Sequence, residues 1–447
     1  MAVRLSEHFT FKKLLKITVF PIVMMVFLSL YSIVDGIFVA NFAGQSSFAA
    51  VNLIFPFIMI LGSLGFMLGT GGTALVSKYL GQGEKERANS TFSLIAYTAI
   101  TLGVIASVVG FFVTEPVVNA MASLSSNSTE EMVKEAILYG KILCAAQIFF
   151  ILQNTFQSFF MVAEKPNLGF IFTLSAGLAN MALDALFIGA FRWGVAGAAL
   201  ATTAGYIIGG VGPIIYFAVK RDGIIFLGKT RIVWRDILQT MYNGMSEFIG
   251  NIATSAVSIV YNAILLKTYG ENGVSAYGII MYVSFVFMAI FIGYSIGVAP
   301  VVAFNYGAKN HSELQNVFRK SLILIGSTSL VMLASCFFAA EPFAMIFSNG
   351  QQELLDLSAV AMKIYSVTFL FVGLSIFTSS FFTALNNGTV SAVVSLLRTL
   401  VFQIGAVFLF QAIFGGVGIW WAIVFGEGAA AIISVIFLIA NKKKYHY

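Results

Sequence analysis

Apolar runs of about 20 residues or more follow one another along nearly the whole chain, each long enough to cross a hydrocarbon core of about 30 Å as a helix. They cover residues 14–40, 50–76, 92–113, 136–161, 168–190, 194–219, 240–266, 275–303, 320–340, 358–383, 388–412 and 416–440. The runs are apolar on every side, whereas the strands of a membrane barrel would alternate apolar and polar residues. Charged residues make up only 10% of the 447, too few to clothe a water-soluble surface, where about 25% is usual. The expected fold is therefore an all-α membrane protein with twelve transmembrane helices. The first run is too long for the apolar stretch of a signal peptide and contains Asp35, so it reads as a retained helix.

Basic residues set the orientation. Between the runs or near their ends, 19 of the 25 Lys and Arg fall on the side of the termini and 5 on the other, with Arg398 in the middle of a run. Both termini are then expected in the cytoplasm, in a multi-pass protein of the cytoplasmic membrane. The net charge of +6 is explained by basic loops facing anionic lipid and calls for no nucleic acid. Cys144 and Cys336 have no disulfide or metal spacing, and His8, His311 and His446 lie in tails and a loop. No cofactor or resident metal is expected. No phosphate-binding Gly-x-x-x-x-Gly-Lys-Ser/Thr loop occurs either, so nucleotide hydrolysis is not the energy source.

The two halves resemble each other. Gly44 and Gly270, Ala50 and Ala276, Gly71 and Gly297, Gly81 and Gly307, and Glu115-Pro116 and Glu341-Pro342 all stand 226 apart. After a short slip, Ser158-Phe159-Phe160 and Ser380-Phe381-Phe382, then Gly194-Val195 and Gly416-Val417, stand 222 apart. Each unit holds six runs, an even number, so both units begin on the same side of the membrane. Two six-helix lobes related by a pseudo-two-fold axis along the membrane normal follow. The lobes are expected at 1–219 and 240–447, with the charged stretch 220–239 as a cytoplasmic connector. A shared cleft between such lobes suits rocking-type alternating access.

An ionisable side chain at membrane depth costs about 2.5–3.5 kcal/mol on insertion scales and calls for a reason. This chain has Asp35, Asp184, Glu247, Arg398 and Glu427. Asp35 and Asp184 both lie about 9 Å inside the outer boundary by helical rise. Tyr31 stands one turn below Asp35, Asn180 one turn below Asp184, and Thr202 with Thr203 reach a similar level from the sixth run. Two neighbouring carboxylates in such a setting hold a proton or accept a cation between them. A polar cluster that only glues helices needs less charge. Asp35 and Asp184 map onto Tyr261 and Ala406 in the second unit, so a cation-coupling site made of Asp35, Asn180, Asp184, Tyr31 and Thr202 belongs to the first lobe alone. Sodium, if it binds, binds at Asp35 and Asp184. Glu247 either attracts a cationic substrate or caps polar contacts near the boundary. Arg398 and Glu427 reach mid-depth from consecutive helices and are expected to form a structural ion pair. The 45 Phe and 16 Met either line an adaptable cavity or face lipid.

Several segments carry a family resemblance: Tyr31-Ser32-Ile33-Val34-Asp35, Gly81-Gln82-Gly83, Asn180-Met181-Ala182-Leu183-Asp184, Gly194-Val195-Ala196-Gly197-Ala198-Ala199 and Gly416-Val417-Gly418-Ile419-Trp420. Over nearly its full length the chain resembles the multidrug and toxic compound extrusion (MATE) family. The resemblance implies a V of two six-helix lobes that expels drug-like, often cationic, compounds in exchange for sodium ions or protons. It also implies a first-lobe cation site at the positions of Asp35, Asn180 and Asp184. Some relatives use a further acid in the tenth span, but 358–383 contains none. The expected function is thus a monomeric, cation-coupled antiporter of small organic molecules rather than an enzyme. The alternative is a flippase for lipid-linked saccharides, whose phosphates would want several cations at depth where only Arg398 lies.

Overall fold

The computed structural model describes residues 4–123, 129–347 and 351–447. The first lobe comprises α1 (Phe11–Phe38), α2 (Gln45–Gly81), α3 (Lys85–Ser123), α4 (Glu130–Ala145), α5 (Gln147–Val162), α6 (Pro166–Asp184) and α7 (Gly194–Val219). Then come α8 (Trp234–Gly307), α9 (His311–Phe338), α10 (Ala340–Phe347), α11 (Gln352–Ser366), α12 (Phe369–Ala384), α13 (Gly388–Leu396), α14 (Phe402–Phe414) and α15 (Gly416–Tyr445). Among the described residues there is no strand. Among the described residues, ten helical segments are long and apolar enough to cross a membrane, and the bent pairs α4/α5 (54°) and α11/α12 (52°) bring the number to twelve. These are the twelve apolar runs, with two of them broken in mid-span. The chain is a multi-pass membrane protein.

Local chemistry sets several boundaries. Thr10, Thr129, Asn310 and Asn387 accept backbone N–H groups three residues on, capping α1, α4, α9 and α13. Pro166 opens α6, where a missing N–H costs nothing. The seventh and eighth runs are joined without a loop in α8, whose two arms meet at Gly270, φ 63° and ψ −151°. Its repeat mate Gly44, φ 103° and ψ 168°, makes the same reversal between α1 and α2. Both lie in a region that essentially only glycine occupies, which explains why the glycine recurs.

Buried apolar side chains fall into three clusters. Two are built from residues 39–225, while the third is dominated by residues 257–447 and recruits Leu5, Phe9, Leu14 and Ile17 from the N-terminal segment. The halves meet where α1 and α2 pack on α8. There the backbones touch: a Cβ at Gly81 would strike the Phe304 carbonyl, and one at Gly307 the Lys78 carbonyl. Residues 304 and 307 are the repeat mates of 78 and 81, so each contact is the other carried across a two-fold. Gly71 against Gly244, and Gly297 against Thr18, form a second exchanged pair at the same offset. All these approaches lie in the halves of the helices nearest the termini.

Candidate functional site

The first lobe brings the expected residues together. Asp35 on α1 and Asp184 on α6 adjoin, and Asn180 also reaches Asp35. Asn180 Nδ2 donates to Thr202 Oγ1 of α7 at 3.4 Å. Asp184 is 0% exposed and Asn180 1%. Tyr31 is close enough to feel both carboxylates. Among the described residues, both Asp184 carboxylate oxygens, Asp35 Oδ1, Asn180 Oδ1 and Thr203 Oγ1 are buried without a hydrogen-bond partner. Buried acceptors are almost always satisfied, and leaving one orphaned costs about 1–3 kcal/mol. The four orphaned oxygens of the adjoining Asp35, Asn180 and Asp184 therefore mark a place where a proton or hard cation would be stabilised. Helix-gluing contacts would have paired them with each other's donors.

Two phenols complete the surroundings. Tyr139 of α4 and Tyr206 of α7 are buried, and both sense Asp35 and Tyr31. A search for charges passes over them because phenols are neutral at pH 7. Their signal is a hydroxyl inside an apolar run, which sixteen tyrosines make common. The backbone is also unusual here. α1 gives way to a π-helical turn at Val39–Ala43, and Asp184 directly precedes another at Ala185–Ala190. Such wide turns recur at functional sites because they interrupt the regular ladder and re-aim neighbouring side chains.

In the second lobe, Arg398 Nε donates to both carboxylate oxygens of Glu427, at 3.2 and 3.0 Å. Gln403 Nε2 adds a bond to Glu427 at 3.3 Å, and the Tyr261 hydroxyl donates to Gln403 Oε1 at 3.4 Å. Tyr261 is the repeat mate of Asp35, so a neutral hydrogen-bonded phenol stands where the first lobe has an acid. Arg398 lies in a third π-helical turn, Leu397–Val401. Glu247 feels the Arg398 charge, while its carboxylate makes no hydrogen bond among the described residues. The structure thus joins Arg398 to Glu427 and leaves Glu247 half-buried beside them.

Relatives and solved structures match this chain over nearly its whole length. The multidrug export protein MepA of Staphylococcus haemolyticus is 24% identical over 421 residues, covering 93% of this chain and 91% of that protein. A MATE transporter solved in complex with MaL6 superposes with a TM-score of 0.90 at 22% identity, covering 97% of each chain. An outward-facing multidrug resistance MATE transporter of the MOP superfamily gives a TM-score of 0.88 at 23% identity, again covering 97% of each chain. The MatE family model matches twice, over residues 21–186 and 248–409, one match per repeat, and the chain belongs to the MatE family of membrane transporters.

Proposed function

We propose that this transporter exports drug-like, often cationic, compounds in exchange for a cation that binds between Asp35 and Asp184. The observation that carries the reading is the set of four orphaned buried oxygens on the adjoining Asp35, Asn180 and Asp184 of α1 and α6. A proton on the dyad, or a sodium ion among the oxygens, satisfies acceptors that the protein itself leaves bare. Either event discharges the pocket and alters the packing of α1, which also carries Pro21 at the lobe boundary. That is a route from ion binding to lobe movement. One monovalent cation falling through about 150 mV releases about 3.5 kcal/mol, enough for a roughly 300-fold gradient of an uncharged substrate, whereas a monovalent cationic substrate climbs the same potential and its export draws on the ion's concentration gradient.

In this reading, residues 1–219 and 240–447 are the two rocking lobes and 220–239 is their connector, with both termini cytoplasmic. The halves that touch are then the cytoplasmic ones, and the cleft opens outward. Glu247, half-buried and without a hydrogen-bonded partner, is the carboxylate that receives a cationic substrate. The MepA relatives, by their name, export multiple drugs. A phosphate-bearing cargo fits less well, because Arg398 is already held by Glu427.

The test is export of a fluorescent organic cation from proteoliposomes under an imposed proton or sodium gradient, applied separately. Export is expected under at least one gradient and should stop when both are collapsed. Equal export with neither gradient would overturn cation coupling.

A further inference from the structure

We infer that a polar cavity between the lobes, away from the dyad and from the cleft charges, is a binding site for a phosphate group. The cavity, about 160 Å³, lies at the terminus-side ends of the helices, where α2 meets α8, the α12–α13 turn and the end of α15. Lys78 and Arg235 line it, and neither has a carboxylate within ion-pair distance among the described residues. The one acid in the wall, Asp236, is already engaged. Its Oδ1 accepts from the Tyr79 hydroxyl at 3.0 Å, its Oδ2 from Thr91 Oγ1 at 3.0 Å, and Arg87 Nη2 stands 3.7 Å away. Lys78 and Arg235 thus have no ion-pair partner among the described residues. Lys78 Nζ faces the ring of Tyr306, 5.9 Å from its centroid.

The remaining polar wall consists of two amides, Gln239 and Asn386, and two phenols. Tyr306 and Tyr445, whose rings meet edge-on at 5.6 Å, line the same cavity, and their hydroxyls make no hydrogen bond among the described residues. An ammonium, a guanidinium and two phenols around a small polar space suit a group with several charged oxygens, and a phosphate is that group. The same chemistry comes from an anionic phospholipid headgroup or from phosphate free in solution. Because Lys78 belongs to the first lobe and Arg235, Tyr306 and Tyr445 to the other side of the contact, an occupant would favour the state in which these ends meet.

The experiment follows the thermal unfolding midpoint of the full-length protein in detergent while one of two probes is titrated at constant ionic strength, phosphatidylglycerol or inorganic phosphate. Phosphatidylcholine and chloride serve as controls. At least one probe is expected to raise the midpoint saturably. Lys78→Gln and Arg235→Gln should each raise the half-saturating concentration by about tenfold or more, the loss of a charge-assisted hydrogen bond. The exposed connector pair Lys229→Gln with Arg231→Gln should leave it unchanged. Saturation by phosphatidylglycerol but not phosphate assigns a lipid headgroup; saturation by phosphate without lipid assigns a soluble ligand. Should the charge variants fail to fold, Tyr445→Phe retains the ring contacts and should still weaken binding by about threefold. No saturable rise with either probe, or an equal effect in the cavity variants and the connector pair, overturns the site.

Discussion

Burying two carboxylates side by side is costly unless something shares their charge, and Asp35 and Asp184 adjoin with Asp35 Oδ1 and both Asp184 oxygens unsatisfied. An amide at either position keeps the shape but can neither take up the proton nor balance a cation. Asp35→Asn and Asp184→Asn are therefore each expected to abolish gradient-driven export while insertion and folding persist; near-normal drug resistance at matched expression would remove the dyad from the mechanism. Arg398 and Glu427 present the opposite case, a pair whose partners satisfy each other. Losing one strands the other, so Arg398→Met or Glu427→Gln alone should cost about 3–5 kcal/mol, and the double variant should recover much of it. A double variant no more stable than the worse single one would refute the pairing. Charge at depth made these residues legible in the sequence. Tyr139, Tyr206 and Gln403 were not legible, because a neutral polar side chain in an apolar run carries no mark until its neighbours are known.

Helices show a similar division. Apolar runs fix where a span lies, since burying the backbone in lipid leaves little alternative to a helix. They do not show the breaks at Ala146 and at Val367–Thr368, or the three π-helical turns, because these change hydrogen-bond register without changing apolar character. Glycine has two meanings that sequence alone does not separate. At Gly307 a Cβ would run into the Lys78 backbone, whereas at Gly405, within α14, it would meet nothing within 4 Å. Gly307→Ala should thus force α2 and α8 apart and cost about 1–3 kcal/mol. Gly405→Ala should be neutral or stabilise by up to about 1 kcal/mol through helix propensity. Thermal unfolding of both variants checks this, and equal behaviour would dismiss backbone contact as the reason for the glycine at 307.

At the scale of the whole molecule, the repeat supplies symmetry and its exceptions supply function. The exchanged contacts of Gly81 and Gly307 form a two-fold contact between the halves, while the carboxylate dyad exists on one side only. In the proposed exchange, ion binding acts on one lobe and is read out at an interface both lobes share. Which ion drives the cycle follows from what the pocket offers. Four orphaned oxygens could begin a sodium shell, yet a sodium ion also has to be held by backbone or water around it. A proton needs only the adjoining carboxylates, because two like charges so close favour sharing one proton. The expectation is that the proton drives export and sodium competes for the same oxygens. With the membrane potential clamped at zero and the pH gradient collapsed, export should fall to its level without any gradient whatever the sodium concentration. Robust export that rises with the sodium gradient under those conditions would overturn proton drive and assign the dyad to sodium.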